Sequence, residues 1–330
     1  MTIPESPVAS DYESHHYYAS ATEGTVHTTP ATPSYWSPIR ALISNADVAP
    51  YIPYFFIPPE DDNQLEDVVN GVIEDALEFV RNCEESQYFE QFTHFDVSDF
   101  SHNADNFARL LKEACEGSLL ELYRSSAISN PHVEITGETL QEQTNWVRTE
   151  LMVHKEEITS IDLSGDFRVP CVPPEIFELT SLSTLVIRVN RIRCISDALG
   201  NLTALTRLNL SHNKLTCLPD TLGSLYNLRD LEVSRNPLSR LPDSIGNLAA
   251  LREIGLTFNL VTALPTSFGA LTGLTYIVID ESLIHSIPAA ISNRMKVATI
   301  TIYVSEEGSP ATMDLLPNEQ APRFPELVRE

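Results

Sequence analysis

A unit of 23 residues repeats along the second half of the chain and constrains its fold more than any other feature. Three apolar columns carry the repeat, each with its members 23 residues apart. The first column is Leu182, Leu205, Leu228, Leu251, Leu274 and Val297. The second is Leu185, Leu208, Leu231, Ile254, Ile277 and Ile300, and the third is Ile187, Leu210, Val233, Leu256, Ile279 and Ile302. Chance does not align three such columns, so the chain contains internal repeats.

Three further columns with the same period mark the turns of the unit. They are asparagines (Asn190, Asn213, Asn236, Asn259), prolines (Pro219, Pro242, Pro265, Pro288) and glycines (Gly200, Gly223, Gly246, Gly269). The L-x-x-L-x-L segment predicts a short strand, and the asparagine amide can bond backbone groups that would otherwise be buried without a partner. Since one unit cannot bury its own leucines, we expect the units to stack with their strands in a parallel sheet.

The repeat is less regular towards both ends. Ile158–Leu163 is an earlier copy of the strand segment and stands one residue further from its neighbour. At the other end, Ser282 stands in the asparagine column and Ser292 in the glycine column. Terminal repeats are usually atypical, so we expect the solenoid to end with a strand at Val297–Val304.

The unit Leu205–Asn227 reads LTRLNLSHNKLTCLPDTLGSLYN and resembles the 23-residue leucine-rich repeat. The resemblance implies an α/β solenoid, a leucine-rich-repeat horseshoe with a parallel concave sheet. This subtype is similar to intracellular scaffolds that bind small GTPases and to repeat proteins that bacteria inject into host cells as effectors. The resemblance implies protein binding on the concave face and no particular partner.

Composition and periodicity divide the chain into four segments. They are a disordered Pro/Ser/Thr-rich N-terminus (1–60), an acidic helical region ending in a capping helix (61–155), the leucine-rich repeats (156–305) and a C-terminal tail (306–330). Prolines interrupt the apolar stretch Tyr51–Pro59, so we expect an extended strap there instead of a helix.

Two apolar stripes with helical spacing predict two amphipathic helices in the second segment. The first stripe is Leu65, Val68, Val69, Val72, Ile73, Ala76, Leu77 and Val80. The second is Phe107, Leu110, Leu111, Ala114, Cys115, Leu119 and Leu122, and the aromatic residues Tyr88, Phe89, Phe92, Phe95 and Phe100 lie between the two. Thr139 and Glu142 form a capping-box pattern, which predicts a third helix that covers the open edge of the first repeat.

Charge is distributed unevenly along a chain whose net charge is −25. Residues 1–150 hold 6 basic and 26 acidic residues, a net of −20, whereas residues 182–260 hold 9 basic and 6 acidic residues, a net of +3. A strongly acidic chain argues against binding to nucleic acid or to an anionic membrane. The charge difference also suggests an intramolecular contact in which the acidic region 1–150 docks on the basic end of the concave face and occludes it.

Strand alternation predicts which side chains lie on or beside the concave sheet, where a protein partner would bind. Arginine and aromatic residues are enriched at binding hot spots. We expect the following residues to contact the partner: Arg188, Arg191, Arg207, His212, Lys214, Arg235, Phe258, Tyr276 and Tyr303.

Known catalytic and metal-binding motifs are missing from the sequence, including glycine-rich phosphate loops, H-E-x-x-H and G-x-S-x-G. We therefore predict that the chain is not an enzyme and has no cofactor and no metal site. Cys171, Cys194 and Cys217 are 23 residues apart and predict a row of stacked thiols. Packing is the favoured interpretation of this row, with a redox staple as the alternative.

The sequence leaves three functional hypotheses open. The first is a non-catalytic protein interaction module, including the case of a secreted bacterial effector, and the second is an adaptor that recruits a ubiquitin ligase or a small GTPase. The third is an enzyme with its site in residues 61–150, where amphipathic helices instead indicate solvated surface carboxylates. An odd number of widely spaced cysteines and the lack of a signal sequence predict a cytoplasmic location. Secretion into a host cell is the alternative.

Overall fold

The computed structural model describes residues 49, 51–55, 62–82, 104–125, 135–165, 168–295 and 301–305. All of them belong to one compact unit. The predicted disordered residues 1–60 lie outside this description except for 49 and 51–55, and the predicted tail 306–330 lies wholly outside it. The aromatic residues predicted to pack between the first two helices also fall outside the described ranges.

Seven parallel strands form one open sheet in sequence order, as the repeat predicts. They are β1 (Ser160–Asp162), β2 (Thr184–Val186), β3 (Arg207–Asn209), β4 (Asp230–Glu232), β5 (Glu253–Gly255), β6 (Tyr276–Asp280) and β7 (Thr301–Ser305). Leu185, Leu208 and Leu231 lie opposite one another, so the 23-residue period is also the register of the sheet. Ile161 pairs with Leu185, which confirms the longer first copy.

The last strand departs from the predicted register. Ile277 lies opposite Ile302 and not Ile300, so the last step is 25 residues and β7 starts later than the expected Val297. The segment before it contains an α-helix, Ala289–Met295, where the other repeats have a 3-10 turn of five residues. An α-helix advances about 1.5 Å per residue against about 2.0 Å for a 3-10 helix, so crossing the same width takes more residues.

The asparagine column links neighbouring repeats through buried backbone groups, as predicted. Asn213 Nδ2 donates to the carbonyl oxygen of Ile187 at 2.6 Å and to that of Leu210 at 3.1 Å, and its Oδ1 accepts from the Ile192 N–H at 3.1 Å. Asn190, Asn236 and Asn259 each repeat this pattern. One side chain therefore satisfies donors and acceptors of two successive turns.

The convex side consists of short 3-10 turns that follow the proline or its equivalent. They are Pro174–Glu178, Asp197–Asn201, Asp220–Ser224, Asp243–Asn247 and Thr266–Ala270, whereas a further 3-10 stretch, Glu281–Ser286, directly follows β6. The glycine column lets successive turns approach closely. A Cβ atom on Gly223 would lie 2.6 Å from the Ser244 carbonyl oxygen, and one on Gly246 would lie 2.5 Å from that of Ser267.

In the described part of the chain, four helices precede the repeats: α1 (Ile52–Phe55), α2 (Asp62–Asn82), α3 (Ala104–Ser125) and α4 (Leu140–Val153). The residues of both predicted stripes are buried in α2 and α3, apart from the partly buried Val68. Thr139 and Glu142 form the predicted capping box at the start of α4. Leu140, Val147 and Leu151 of this helix belong to the same buried cluster as Ile161 of β1, so the helices and the repeats share one apolar core.

The stretch predicted as an extended strap contains one helical turn, α1, so that prediction was wrong over residues 52–55. Proline is tolerated in the first turn of a helix, because the N–H that it lacks has no intrahelical partner there, and Pro53 occupies that turn. Ile52 and Phe55 are buried and anchor the turn to the core. Among the described residues, no helix is long and apolar enough to cross a membrane.

Candidate interaction surfaces

Two lines of side chains run across the strands on the concave side. The register places Thr184, Arg207, Asp230, Glu253 and Tyr276 side by side in the first line, and all five are partly buried. The second line, two positions further along each strand, consists of Val186, Asn209, Glu232, Gly255 and Val278. We call the surface formed by these two lines the strand face.

The centre of the strand face carries acidic side chains that the sequence analysis did not single out. Burial raises the pKa of Asp230, although Arg207, Arg229 and Arg252 act in the opposite direction. Burial and the neighbouring Asp230 raise the pKa of Glu253. Strand alternation alone places both residues on this face.

Glu232 lies flat on the sheet over Gly255. A Cβ atom on Gly255 would come within 2.0 Å of Glu232 Oε2, so only glycine leaves room for this carboxylate. Glu232 Oε1 accepts a hydrogen bond from the Ser234 N–H at 2.8 Å. Burial raises the pKa of Glu232 although the hydrogen bonds from Ser234 lower it. The strand face therefore combines basic and acidic groups and is not the basic surface that the residue counts suggested.

The structure separates the residues predicted to contact a partner into two sets. Arg207 and Tyr276 lie in strands of the strand face, and Tyr303 lies in β7 at the register position opposite Val278. Arg188 directly follows Ile187 after β2. The others lie in the loops that leave the strands: Arg191, His212, Lys214, Arg235 and Phe258. Whether any of these residues binds a partner stays a prediction.

The loops that leave the strands contain a periodic row of residues in the left-handed backbone region. Their φ angles are between 56° and 59°, at Arg168, Val189, His212, Arg235 and Phe258. Non-glycine residues adopt this conformation at a cost of roughly 1–2 kcal/mol each. Hydrogen bonds to the next repeat hold it, because the N–H groups of His212 and Arg235 donate to the carbonyls of Ser234 and Thr257 at 3.0 and 2.8 Å.

The acidic helix α2 docks on this edge of the repeats through one buried carboxylate. Asp75, whose side chain is 3% exposed, accepts from Arg191 Nη1 at 3.1 Å, Arg193 Nη2 at 2.7 Å and Lys214 Nζ at 2.6 Å. Glu78, one turn later, accepts from Arg191 Nη2 at 2.7 Å and also pairs with Arg168. These ion pairs join the acidic helix to the loops that leave the strands, whereas the predicted docking on the concave face stays a prediction.

Gly71 lets an arginine lie across the docked helix. A Cβ atom at this position would be 2.6 Å from Arg193 Nη2, and the guanidinium passes this point to reach Asp75 one turn along α2. Glycine inside a helix costs about 1 kcal/mol relative to alanine. Its place against Arg193 gives that cost a structural reason, which the sequence pattern did not reveal.

An open basic groove with a volume of about 400 Å³ lies beside the docked helix. Its lining includes Arg168, Val189, Arg191, His212, Lys214 and Arg235. At the far end from Arg168, the Arg235 guanidinium stacks 4.3 Å from the centre of the Phe258 ring. Leu260, two residues beyond Phe258, is 64% exposed. We call this surface the loop groove.

The cysteine row is present without a sulfur–sulfur bond. Cys171 and Cys194 are buried, Cys217 is partly buried, and all three are free thiols, as is Cys115 of α3. Cys171 donates to Ser118 Oγ and Cys194 to the Pro53 carbonyl, so the thiols face the helical region. Burial raises the pKa of Cys194, which disfavours the reactive thiolate. Within the described ranges no cluster of side chains suits a metal ion.

The family models that match this chain match within the repeats. Family models described as leucine rich repeat match residues 156–215 and 227–248. Curated proteins gave no match. Among solved structures, a leucine-rich-repeat protein of Leptospira interrogans is 30% identical over 40% of this chain and 32% of its own, with a TM-score of 0.36.

Two plant receptors are also similar. The ectodomain of the Arabidopsis thaliana receptor kinase GASSHO1/SCHENGEN3, solved in complex with CASPARIAN STRIP INTEGRITY FACTOR 2, is 25% identical over 48% of this chain and 19% of its own, with a TM-score of 0.37. The plant peptide hormone receptor RGFR1, in complex with RGF2, is 24% identical over 41% of this chain and 22% of its own, with a TM-score of 0.35. The chain thus spans a third or less of each of these solved chains.

The matched segments coincide with the strands and turns described above. The first model covers β1 to β3 with their turns, and the second lies around β4. A seven-stranded parallel sheet with an asparagine column and 3-10 turns on the convex side is the architecture that these models represent. Residues 156–215 and 227–248 of this chain are leucine-rich repeats.

Proposed function

We propose that the protein binds a partner protein on the strand face. Leucine-rich-repeat domains generally mediate protein–protein interaction and are typically non-enzymatic scaffolds. The observation that carries the proposal is the first line of the strand face, in which Arg207, Asp230, Glu253 and Tyr276 stand in register on adjacent strands. This line offers a cation, two carboxylates and an aromatic ring in a fixed order.

The chemistry of that line suits recognition of a folded or extended polypeptide. Side chains fixed on rigid strands lose little conformational freedom on binding. Tyrosine and arginine supply contact area and directional hydrogen bonds, and the fixed order of the charges gives specificity by disfavouring partners with the wrong pattern. We expect the partner to present a basic group opposite Asp230 and Glu253 and an acidic group opposite Arg207.

The test is capture of partners with the full chain as bait. The double variant Arg207→Glu/Tyr276→Ala alters the strand face, and Arg240→Glu alters an exposed arginine of the loop after β4 as a matched control. We expect a partner that is retained by the native chain and by Arg240→Glu and is lost with the double variant. Titration of that partner should then show a loss of at least about tenfold in affinity. Equal retention by all three baits would assign binding to another surface.

The partner's identity separates the finer hypotheses. A host-cell protein bound without a copurifying enzyme supports the effector hypothesis, and a bound ubiquitin ligase or small GTPase supports the adaptor hypothesis. The proposal of a cytoplasmic location rests on the odd number and wide spacing of the five cysteines. Fractionation of expressing cells tests it directly.

A further inference from the structure

The loop groove differs from the strand face in position and in charge. It lies along the loops that leave the strands, and four of its lining residues are arginine or lysine. Three of these, Arg168, Arg191 and Lys214, pair with Asp75 or Glu78 of α2. The protein therefore shows that this edge of the repeats holds carboxylates presented by a polypeptide.

The other end of the groove offers a different combination of groups. Arg235 is stacked on Phe258, and no carboxylate among the described residues pairs with its guanidinium. Stacking orients the guanidinium plane and leaves its edge N–H groups able to donate. Beyond it, Phe258 is partly buried and Leu260 is exposed, so a cation stands next to an apolar patch.

We propose that the loop groove binds an acidic peptide segment of a partner protein. The segment continues the row of carboxylates begun by Glu78 and Asp75, places a carboxylate on Arg235, and covers Phe258 and Leu260 with an apolar side chain. A partner of this kind has alternating acidic and aliphatic residues. Its site is separate from the strand face, so the two surfaces can be occupied together.

A short acidic peptide fits these observations better than a nucleic acid does. The chain carries a net charge of −25, which repels a long polyanion, whereas local attraction in the groove acts within about 10 Å at ordinary salt. Leu260 and Phe258 also give no favourable contact to a phosphate backbone. Charge supplies the orientation and the apolar patch supplies contact area.

Fluorescence anisotropy with a synthetic probe tests the proposal on the full chain. The probe is a fluorescein-labelled ten-residue peptide with four glutamates around two leucines. Two matched peptides replace either the glutamates with glutamine or the leucines with serine. We expect saturable binding of the first peptide, and binding at least about fivefold weaker for each of the other two.

Protein variants locate the site. Arg235→Gln and Leu260→Ser each remove one feature of the groove, and the exposed Arg240, five residues from Arg235, gives the control Arg240→Gln. We expect each groove variant to bind the probe about fivefold or more weakly, and the control to bind it with native affinity. Far-UV circular dichroism verifies that each variant is folded. The strand-face variant Arg207→Glu/Tyr276→Ala should bind the probe like the native chain, so this proposal and the proposed function fail independently.

Four outcomes would overturn the proposal. The first is no saturable binding of the glutamate peptide, and the second is equal binding of the glutamine peptide. The third is self-association of the native chain in sedimentation that Arg235→Gln abolishes, because the groove would then be an interface between two copies. Native probe affinity in both Arg235→Gln and Leu260→Ser would likewise exclude this groove as the site.

Discussion

The repeats contact one another and contact the helical region by different means. Between repeats, the same residue types recur every 23 positions, with Asn213 and its equivalents bonding the backbone and leucines filling the core. Between the helical region and the repeats, a single carboxylate of α2, Asp75, gathers Arg191, Arg193 and Lys214. The contacts between repeats are periodic and mostly uncharged, whereas the ion pairs of α2 do not recur along the stack and depend on charge.

This difference has a consequence for stability and for binding. A periodic contact is copied along the stack, so its loss at one place breaks two neighbouring interfaces. The ion pairs of Asp75 fix how α2 lies beside the loop groove, and they do not alter the stack of repeats. Four substitutions test this distinction, in order of decreasing expected effect.

Asn213→Ala should have the largest effect. It leaves the Ile187 carbonyl and the Ile192 N–H without their partner in a buried turn, which we expect to destabilise the fold by about 3 kcal/mol. Asn227→Ala is the control, because that side chain is exposed and makes one hydrogen bond, to Thr203. Urea unfolding followed by circular dichroism measures both. Similar losses in the two variants would contradict a special role for the periodic asparagine.

Asp75→Asn should cause the next largest loss of stability. The amide keeps the shape but loses the charge that holds three cations, and these cations are 24–41% exposed, so solvent moderates the loss to about 2 kcal/mol. Trp146 of α4, 5.5 Å from the ring of Tyr123, reports on the helical region by its fluorescence. The exposed Asp67 of the same helix provides the control Asp67→Asn. An unchanged fluorescence midpoint for Asp75→Asn would show that apolar packing alone holds α2 in place.

Gly223→Ala should lower the free energy of unfolding by about 1.5 kcal/mol. Its new Cβ would lie 2.6 Å from the Ser244 backbone oxygen, so the two turns must separate. Gly269→Ala is the matched control in the same column, where the nearest atom, Pro288 Cβ, is 3.3 Å away. Thermal unfolding compares the two. Equal melting temperatures would mean that the convex turns adjust freely, and the glycine column would then need another explanation.

Glu232→Gln should change the pH-dependent part of the free energy of unfolding by less than about 1 kcal/mol. Burial raises the folded-state pKa of Glu232 above its ordinary 4.5, so the folded chain takes up this proton first as the pH falls. The contribution of Glu232 to stability therefore rises as the pH drops through the folded pKa towards 4.5 and is lost above that pKa. The glutamine variant should show a flatter stability profile in this window than the native chain, and Glu281→Gln, at an exposed position, should not. Parallel profiles for Glu232→Gln and the native chain would refute this assignment.

Most of the solenoid could be predicted because its contacts are periodic. Columns of leucine, asparagine and glycine determine strand register, turn bonding and turn spacing, and all three follow from short-range geometry. The same reasoning failed at β7, where Ile302 and not Ile300 pairs with Ile277, because the helix Ala289–Met295 changes the residue count of the turn. Periodicity cannot reveal a change of helix type within one unit.

The candidate surfaces were predictable only in part. The basic residues were found from charge, but the sequence could not separate Arg207 on the strand face from Lys214 beside α2. The acidic Glu232 over Gly255 was missed, because its meaning depends on the neighbouring strand.

By itself the sequence determined that the chain stacks 23-residue repeats with a capping helix, since hydrophobic spacing and capping residues act within a few turns of their own position. Only the tertiary structure decided where the acidic region docks. Asp75 lies 116 to 139 residues from the cations that it gathers. Many acidic residues of that region have the same charge, and those that dock are selected by the packing of α2 against the repeats.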